Sequence, residues 1–154
     1  LRDLNWIEVL LVSALPFSEL RGGLPLAIYL GLDPIRAYIL SVIGNFLPIP
    51  FLLLLLGAIE KLALRTHLAS LYTKIVERTE KRKGLVERYG YLGLIMFVAI
   101  PLPFTGAWTG CLLAFLLRLN RIKATICILV GILIAGLIVL TTSVGVLSIA
   151  VRQP

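Results

Sequence analysis

The sequence predicts an all-α integral membrane protein made of two inverted repeats. Each repeat is a re-entrant helical hairpin followed by a transmembrane helix, and a basic amphipathic cytoplasmic helix joins the two. Three observations predict this. Hydrophobic residues make up 59% of the 154 and the mean hydropathy is +1.00, more apolar surface than a soluble core of this length can bury. Three runs carry no charge at all, residues 37–59, 89–117 and 124–151, and each exceeds the ~20 residues needed to cross the hydrocarbon. Finally, residues 15–44 match residues 102–131 without a gap at 12 of 30 positions, where a leucine-rich composition alone gives about three to five. The whole chain, 1–154, is read as one membrane domain, with repeat one at 4–59, a linker at 60–88 and repeat two at 89–151.

Residues 4–32 are too long for one span and too short for two. At ~1.5 Å per residue, halves of about 12 to 15 residues reach only to the middle of the bilayer. Pro16, followed by Gly22, Gly23 and Pro25, puts the break near the centre, because proline removes a donor and drives its predecessor out of helical geometry. Broken backbone at that depth is tolerated only where protein covers it or where it lines a wet cavity, so the break itself marks a candidate site.

Residues 31–34, Gly-Leu-Asp-Pro, read as a turn with proline opening a helix over about 35–59. Pro48 and Pro50 are expected to distort that helix, and Asn45 to find a hydrogen-bond partner in the bundle. From Glu60 to Arg88 the chain carries eight Lys/Arg and four Glu, with Leu64, Leu68, Leu71 and Ile75 at helical spacing. That pattern predicts a helix lying on the membrane surface, ended by Gly84. The second hairpin, 89–117, is expected to break at Pro101, Pro103 and Gly106. RLNRIK makes the next turn, and 124–151 forms the last span, where Gly131, Gly136 and Gly145 permit close helix approach.

One hairpin plus one span crosses the membrane once, so the second copy must be inverted. One face then carries eleven Lys/Arg, the linker's eight with Arg118, Arg121 and Lys123, and the other carries Arg2, Arg36 and Arg152. Positive-inside orientation puts the linker in the cytoplasm and both termini outside, in the plasma membrane of a prokaryote.

Both tips are expected near the midplane, each opening a half-helix capped by Ser18 or Thr105. Half-helix N-termini favour anions, the arrangement on which many secondary transporters rely. Glu19 and Arg21 lie where charge is costly and by default functional, and at i and i+2 on a helix they point apart. Arg21 is the candidate anion clamp and Glu19 the candidate proton acceptor, with a structural pairing to the opposite hairpin as the alternative role. Asn45, Thr109 and Trp108 complete the candidate binding residues, and Pro16, Gly22, Gly23, Pro101, Pro103, Gly106 and Gly110 are the hairpin breaks. Cys111 and Cys127 read as apolar fillers and His67 as solvated. With no nucleophile–base pair, metal-ligand cluster or nucleotide loop, the sequence is read as a non-enzyme without metal or cofactor. Its basic residues sit beside apolar spans, so membrane lipids rather than nucleic acid are the expected partner, together with protons and a second copy of the chain.

The tips PFSELRGGLPLAI and YGYLGLIMFVAIPLPFTGAWTGCLLA resemble the small multidrug export protein family, and more distantly the DedA (VTT-domain) superfamily. The resemblance implies two re-entrant hairpins facing one another. The DedA likeness implies movement of lipid phosphates coupled to an ion gradient, with Glu19 in the place of the acidic residue of the first hairpin. DedA proteins usually carry an arginine in the second tip, where this chain has Gly106, Trp108 and Thr109. The expected function is that of a secondary transporter or flippase for an amphipathic or anionic lipid-like substrate, coupled to protons, with its site between the tips. Efflux of cationic drugs and a non-transporting scaffold role are the alternatives.

Overall fold

A computed structural model describes residues 5–67, 69–81, 83–102 and 105–151 of the chain. Among these the fold is all-helical with no strand. The helices are α1 (Asn5–Ala14), α2 (Glu19–Tyr29), α3 (Pro34–Phe46), α4 (Ile49–Leu64), α5 (Ala69–Glu80), α6 (Gly84–Ala99), α7 (Ala107–Leu116) and α8 (Arg121–Val151). Two apolar stretches are long enough to cross a membrane, Pro34–Leu64 with 31 residues and Arg121–Val146 with 26 residues.

Prolines set most of the boundaries. α1 stops two residues before Pro16, and α3 stops ahead of Pro48, where proline removes a helix donor, although Leu47 itself keeps helical dihedrals (φ −52°, ψ −45°). Pro50 falls in the first turn of α4, where its missing N–H costs nothing. The helix expected over 35–59 is distorted as expected: Leu47 and Pro48 form a turn that parts α3 from α4 within one apolar stretch. The linker differs from a single helix over 60–88. α4 runs on to Leu64, α5 covers the middle, and Gly84 opens α6 instead of ending a helix. The interruption falls at Gly90, whose φ of 58° and ψ of −129° suit only a residue without a Cβ. Leu71 and Ile75 of α5 are exposed, while Leu68 lies outside the described residues.

The chain divides into two compact units, residues 1–48 with 132–154, and residues 49–131. In the first, α1, α2 and α3 pack on one another around Val9, Ala27 and Ala37, all fully buried. The final part of α8 joins them: the Tyr38 hydroxyl donates to the Leu133 carbonyl at 2.9 Å, and a Cβ built at Gly136 would lie 2.6 Å from the Tyr38 ring. In the second unit α4 packs on α5 and α7, and α6 packs on α7. Gly131 of α8 admits Val98 of α6, to which a built Cβ would come within 2.6 Å. A Cβ built at Gly145 would meet no neighbour within 4 Å, so of the three glycines expected to allow close approach in the last span, two do so.

Each unit contains the same turn. At the end of α2 the Leu32 and Gly31 amides donate to the Ala27 and Ile28 carbonyls, both at 3.0 Å, and at the end of α7 the Leu119 and Arg118 amides donate to Ala114 and Phe115 at 2.9 and 3.0 Å. These are the paired bonds that close a helix through a left-handed residue, Gly31 at φ 80° in one case and Arg118 at φ 53° in the other. Asp33 then accepts from the Ile35 and Arg36 amides at 3.1 and 3.5 Å, and Asn120 accepts from Ile122 and Lys123 at 3.0 and 3.2 Å. Every one of these positions is related to its counterpart by 87 residues.

The packing repeats as well. Ser13 of α1 lies against Gly23 of α2 and Gly44 of α3, and Val98 of α6 lies against Gly110 of α7 and Gly131 of α8. The glycines are 87 apart, whereas Ser13 and Val98 are 85 apart, as are the last residues of α1 and α6, Ala14 and Ala99. One side chain in each unit is thus clasped between two glycines, and the second break is two residues longer.

Candidate functional site

The site residues fall in two groups, one in each unit. In the first, Leu15–Ser18 interrupt the helix and α2 begins at Glu19, whose φ of 47° is left-handed at a residue that is not glycine. Such backbone costs about 1 kcal/mol and concentrates at functional positions. Glu19 is buried and Arg21 half-buried. The expectation that the two point apart assumed helical dihedrals at both. Glu19 lacks them, and its carboxylate acts electrostatically on Arg21.

Ser18 occupies the N-cap position but makes no capping bond, because its own backbone is helical (φ −92°, ψ −43°). Its hydroxyl donates back to the Val12 carbonyl. The Glu19 and Gly22 amides instead bond to the Leu15 and Ser18 carbonyls, both at 2.9 Å. Phe17 at the tip is fully exposed, an apolar ring with no protein around it.

From Arg21, positions 25 and 28 continue along one face of α2 at i+4 and i+7. Pro25, Ile28 and Tyr29 form one wall of a groove of about 430 Å³, and Thr142, Ser143 and Val146 of α8 form the other. Pro25 also denies the Arg21 carbonyl its usual i+4 donor. A charged head and an apolar trough therefore lie in line within this unit.

Asn45 is 2% exposed and its Oδ1 has no hydrogen-bond partner, contrary to expectation. The Ser13 and Ser41 hydroxyls are fully buried and equally without partners. Ser41 and Asn45 are one helical turn apart on α3, and Ser13 reaches the intervening Gly44, where a built Cβ would lie 2.9 Å from its own. Three acceptor oxygens gather there in an apolar unit. Sequence reasoning found Asn45 and missed the serines, although Ser41, Gly44 and Asn45 share the apolar face of α3 at i, i+3 and i+4.

The second break runs from Ile100 to Gly106, and Pro103 lies outside the described residues. Thr105 does not cap α7; that position belongs to Gly106. The Thr105 hydroxyl lies 2.7 and 2.8 Å from the Ile100 and Leu102 carbonyls and accepts from the Leu102 amide at 3.1 Å, so it ties the break together instead. Thr109 donates to the Gly106 carbonyl at 3.3 Å, and Trp108, in the place of Arg21, is half-buried. Ala107, Gly110 and Cys111 are buried. No group of three or more His, Cys, Asp or Glu able to hold a metal occurs among the described residues.

Two apolar stretches long enough to span a bilayer, with buried polar groups at a helix break, fit an all-helical membrane protein. Residues 19–138 match the model of the family described as "Putative small multi-drug export protein". The chain belongs to that family, whose match takes in the candidate residues of both breaks except Pro16 and Ser18. No curated protein and no solved structure matches it.

Proposed function

We propose that the protein is a secondary membrane transporter or flippase that moves an amphipathic, anionic, lipid-like substrate in exchange for protons, with its charged site at the first helix break. The observation that carries this reading is Glu19, buried in an apolar protein at a left-handed backbone position beside Arg21. A carboxylate there is costly to keep charged, which suits a group that takes up and releases a proton. Arg21 offers a planar fork for a phosphate or carboxylate, and the groove from Pro25 to Ile28 offers an apolar berth for the rest of the molecule.

In the proposed membrane arrangement both breaks are re-entrant. α1, α2 and α7 have 10, 11 and 10 residues, about 15 Å each, half the hydrocarbon thickness. The 87-residue correspondence of turns and glycines supports a duplication, and one crossing per copy inverts the second. The linker and the turn at 117–121 then face the cytoplasm, with both termini outside.

Reconstitution tests the reading. Vesicles with an imposed pH gradient are expected to show flip-flop of a fluorescent anionic lipid that Glu19→Gln abolishes in a folded protein. PH-driven transport that survives Glu19→Gln removes the proposal. The family description names multi-drug export, which supports a second reading, export of drugs; in our proposal these would be cationic, with Glu19 as countercharge. The sign of the charge moved per substrate separates the two.

A further inference from the structure

We propose that the turn between α7 and α8 is a second anion site, a pocket for the phosphate of an anionic phospholipid headgroup. A cavity of about 250 Å³ opens there within the second unit. Its apolar wall is Leu53 of α4 with Ala114, Phe115 and Leu119, and its charged wall is Arg118 and Arg121. Both arginines are exposed, and neither belongs to an ion pair among the described residues. Two guanidiniums three residues apart beside an apolar wall suit one partner well, a phosphate diester attached to something greasy.

The backbone supports the assignment. Arg118 closes α7 in the left-handed conformation that Gly31 adopts without strain at the matching turn of the first unit. Glycine would serve the turn better, so the arginine is a cost to the fold at this position. Three positions on, Arg121 stands where the first copy has Pro34. The two charges thus belong to the second copy alone.

The turn is held in place for the purpose. The Asn120 amide donates to the Tyr91 hydroxyl at 3.1 Å, and the Lys123 ammonium sits 5.8 Å from the centre of the Tyr91 ring. Asn120 occupies the first amides of α8, which leaves recognition to the guanidiniums, while the positive end of the 31-residue helix adds to the field. Arg121 also opens the apolar stretch Arg121–Val146, so the pocket lies at the level of lipid headgroups.

The test is titration of the full chain with phosphatidylglycerol in detergent, read by native mass spectrometry, beside phosphatidylcholine. Wild type is expected to retain phosphatidylglycerol selectively. Arg118→Gly and Arg121→Gln should each weaken it about tenfold, since a hydrogen bond to a charged partner contributes roughly that much. Arg118→Gly also relieves the backbone, so an unchanged or raised thermal midpoint shows that lost binding is not lost folding. Arg36→Gln, at the matching turn of the first copy, should bind as wild type does. Displacement of the lipid by millimolar inorganic phosphate would show that the pocket reads the phosphate from either source, and resistance to it would show that it needs the lipid. Undiminished phosphatidylglycerol binding by the Arg118→Gly/Arg121→Gln double variant overturns the proposal.

Discussion

The glycine clasp around Val98 lends itself to a quantitative test. A Cβ added at Gly110 would lie 2.7 Å from Cγ2 of Val98, with its next neighbours, Leu94 and Ile128, at 3.7 and 3.8 Å. The last two are ordinary contacts, so the whole obstruction is one methyl group. Gly110→Ala gains about 1 kcal/mol of helix propensity but forces an overlap of nearly 1 Å in a packed interior, a cost of about 1–3 kcal/mol. Val98→Ala alone leaves a small cavity, about 1–2 kcal/mol at ~0.8 kcal/mol per methylene-sized group. In the double variant the methyl in the way is gone and the new one fills part of its space. The coupling energy should therefore be favourable by about 1–3 kcal/mol. Gly131 supplies the contrast: a Cβ there lies 2.6 Å from Cβ of Val98 itself, an atom that alanine keeps. Val98→Ala should rescue Gly110→Ala and fail to rescue Gly131→Ala. Unfolding in mixed micelles, followed by tryptophan fluorescence, measures all five variants. Strict additivity at Gly110, or equal rescue at both glycines, would refute the packing described.

Three further outcomes follow from single contacts. Arg118→Gly should stabilise the chain by about 1 kcal/mol and Gly31→Ala destabilise it by about the same amount, with nothing within 4 Å of the added methyl to account for the loss; unfolding midpoints of the two variants decide this. Ser41→Ala removes a buried hydroxyl without a partner, so stability should hold or rise by about 1 kcal/mol, and a loss of that size would mean that the hydroxyl is bonded. Tyr38→Phe breaks the bond to the Leu133 carbonyl and should cost about 0.6 kcal/mol, as such bonds between membrane helices do, read as faster hydrogen exchange along 133–139.

Proline and glycine made the breaks legible. Pro16 and Pro101 mark them by removing donors, and the 87-residue match aligns Asp33 with Asn120, which the structure shows to be caps. The same reasoning failed at Gly84, which it read as a stop, because a glycine at a helix start and one at a helix end look alike in sequence. The true interruption, Gly90, is recognisable only by its φ of 58°. Ser18 and Thr105 have the right chemistry for caps, yet their hydroxyls turn to carbonyls at Val12, Ile100 and Leu102, a choice made by local dihedrals. The clasps were invisible for another reason. Ser13 and Val98 precede the ungapped match and follow a different offset, so only packing reveals them as equivalent. Glu19 stood out as a charge in an apolar run, but its left-handed backbone and its burial depend on the fold.

The inverted arrangement is tested most directly at one matched pair of exposed residues, Arg36 and Lys123, 87 positions apart at the starts of α3 and α8. In a background lacking Cys111 and Cys127, each would be replaced singly by cysteine and labelled in intact cells with a membrane-impermeant maleimide. Arg36→Cys should react from outside, and Lys123→Cys only after the membrane is opened. Labelling of both from the same side would contradict inversion.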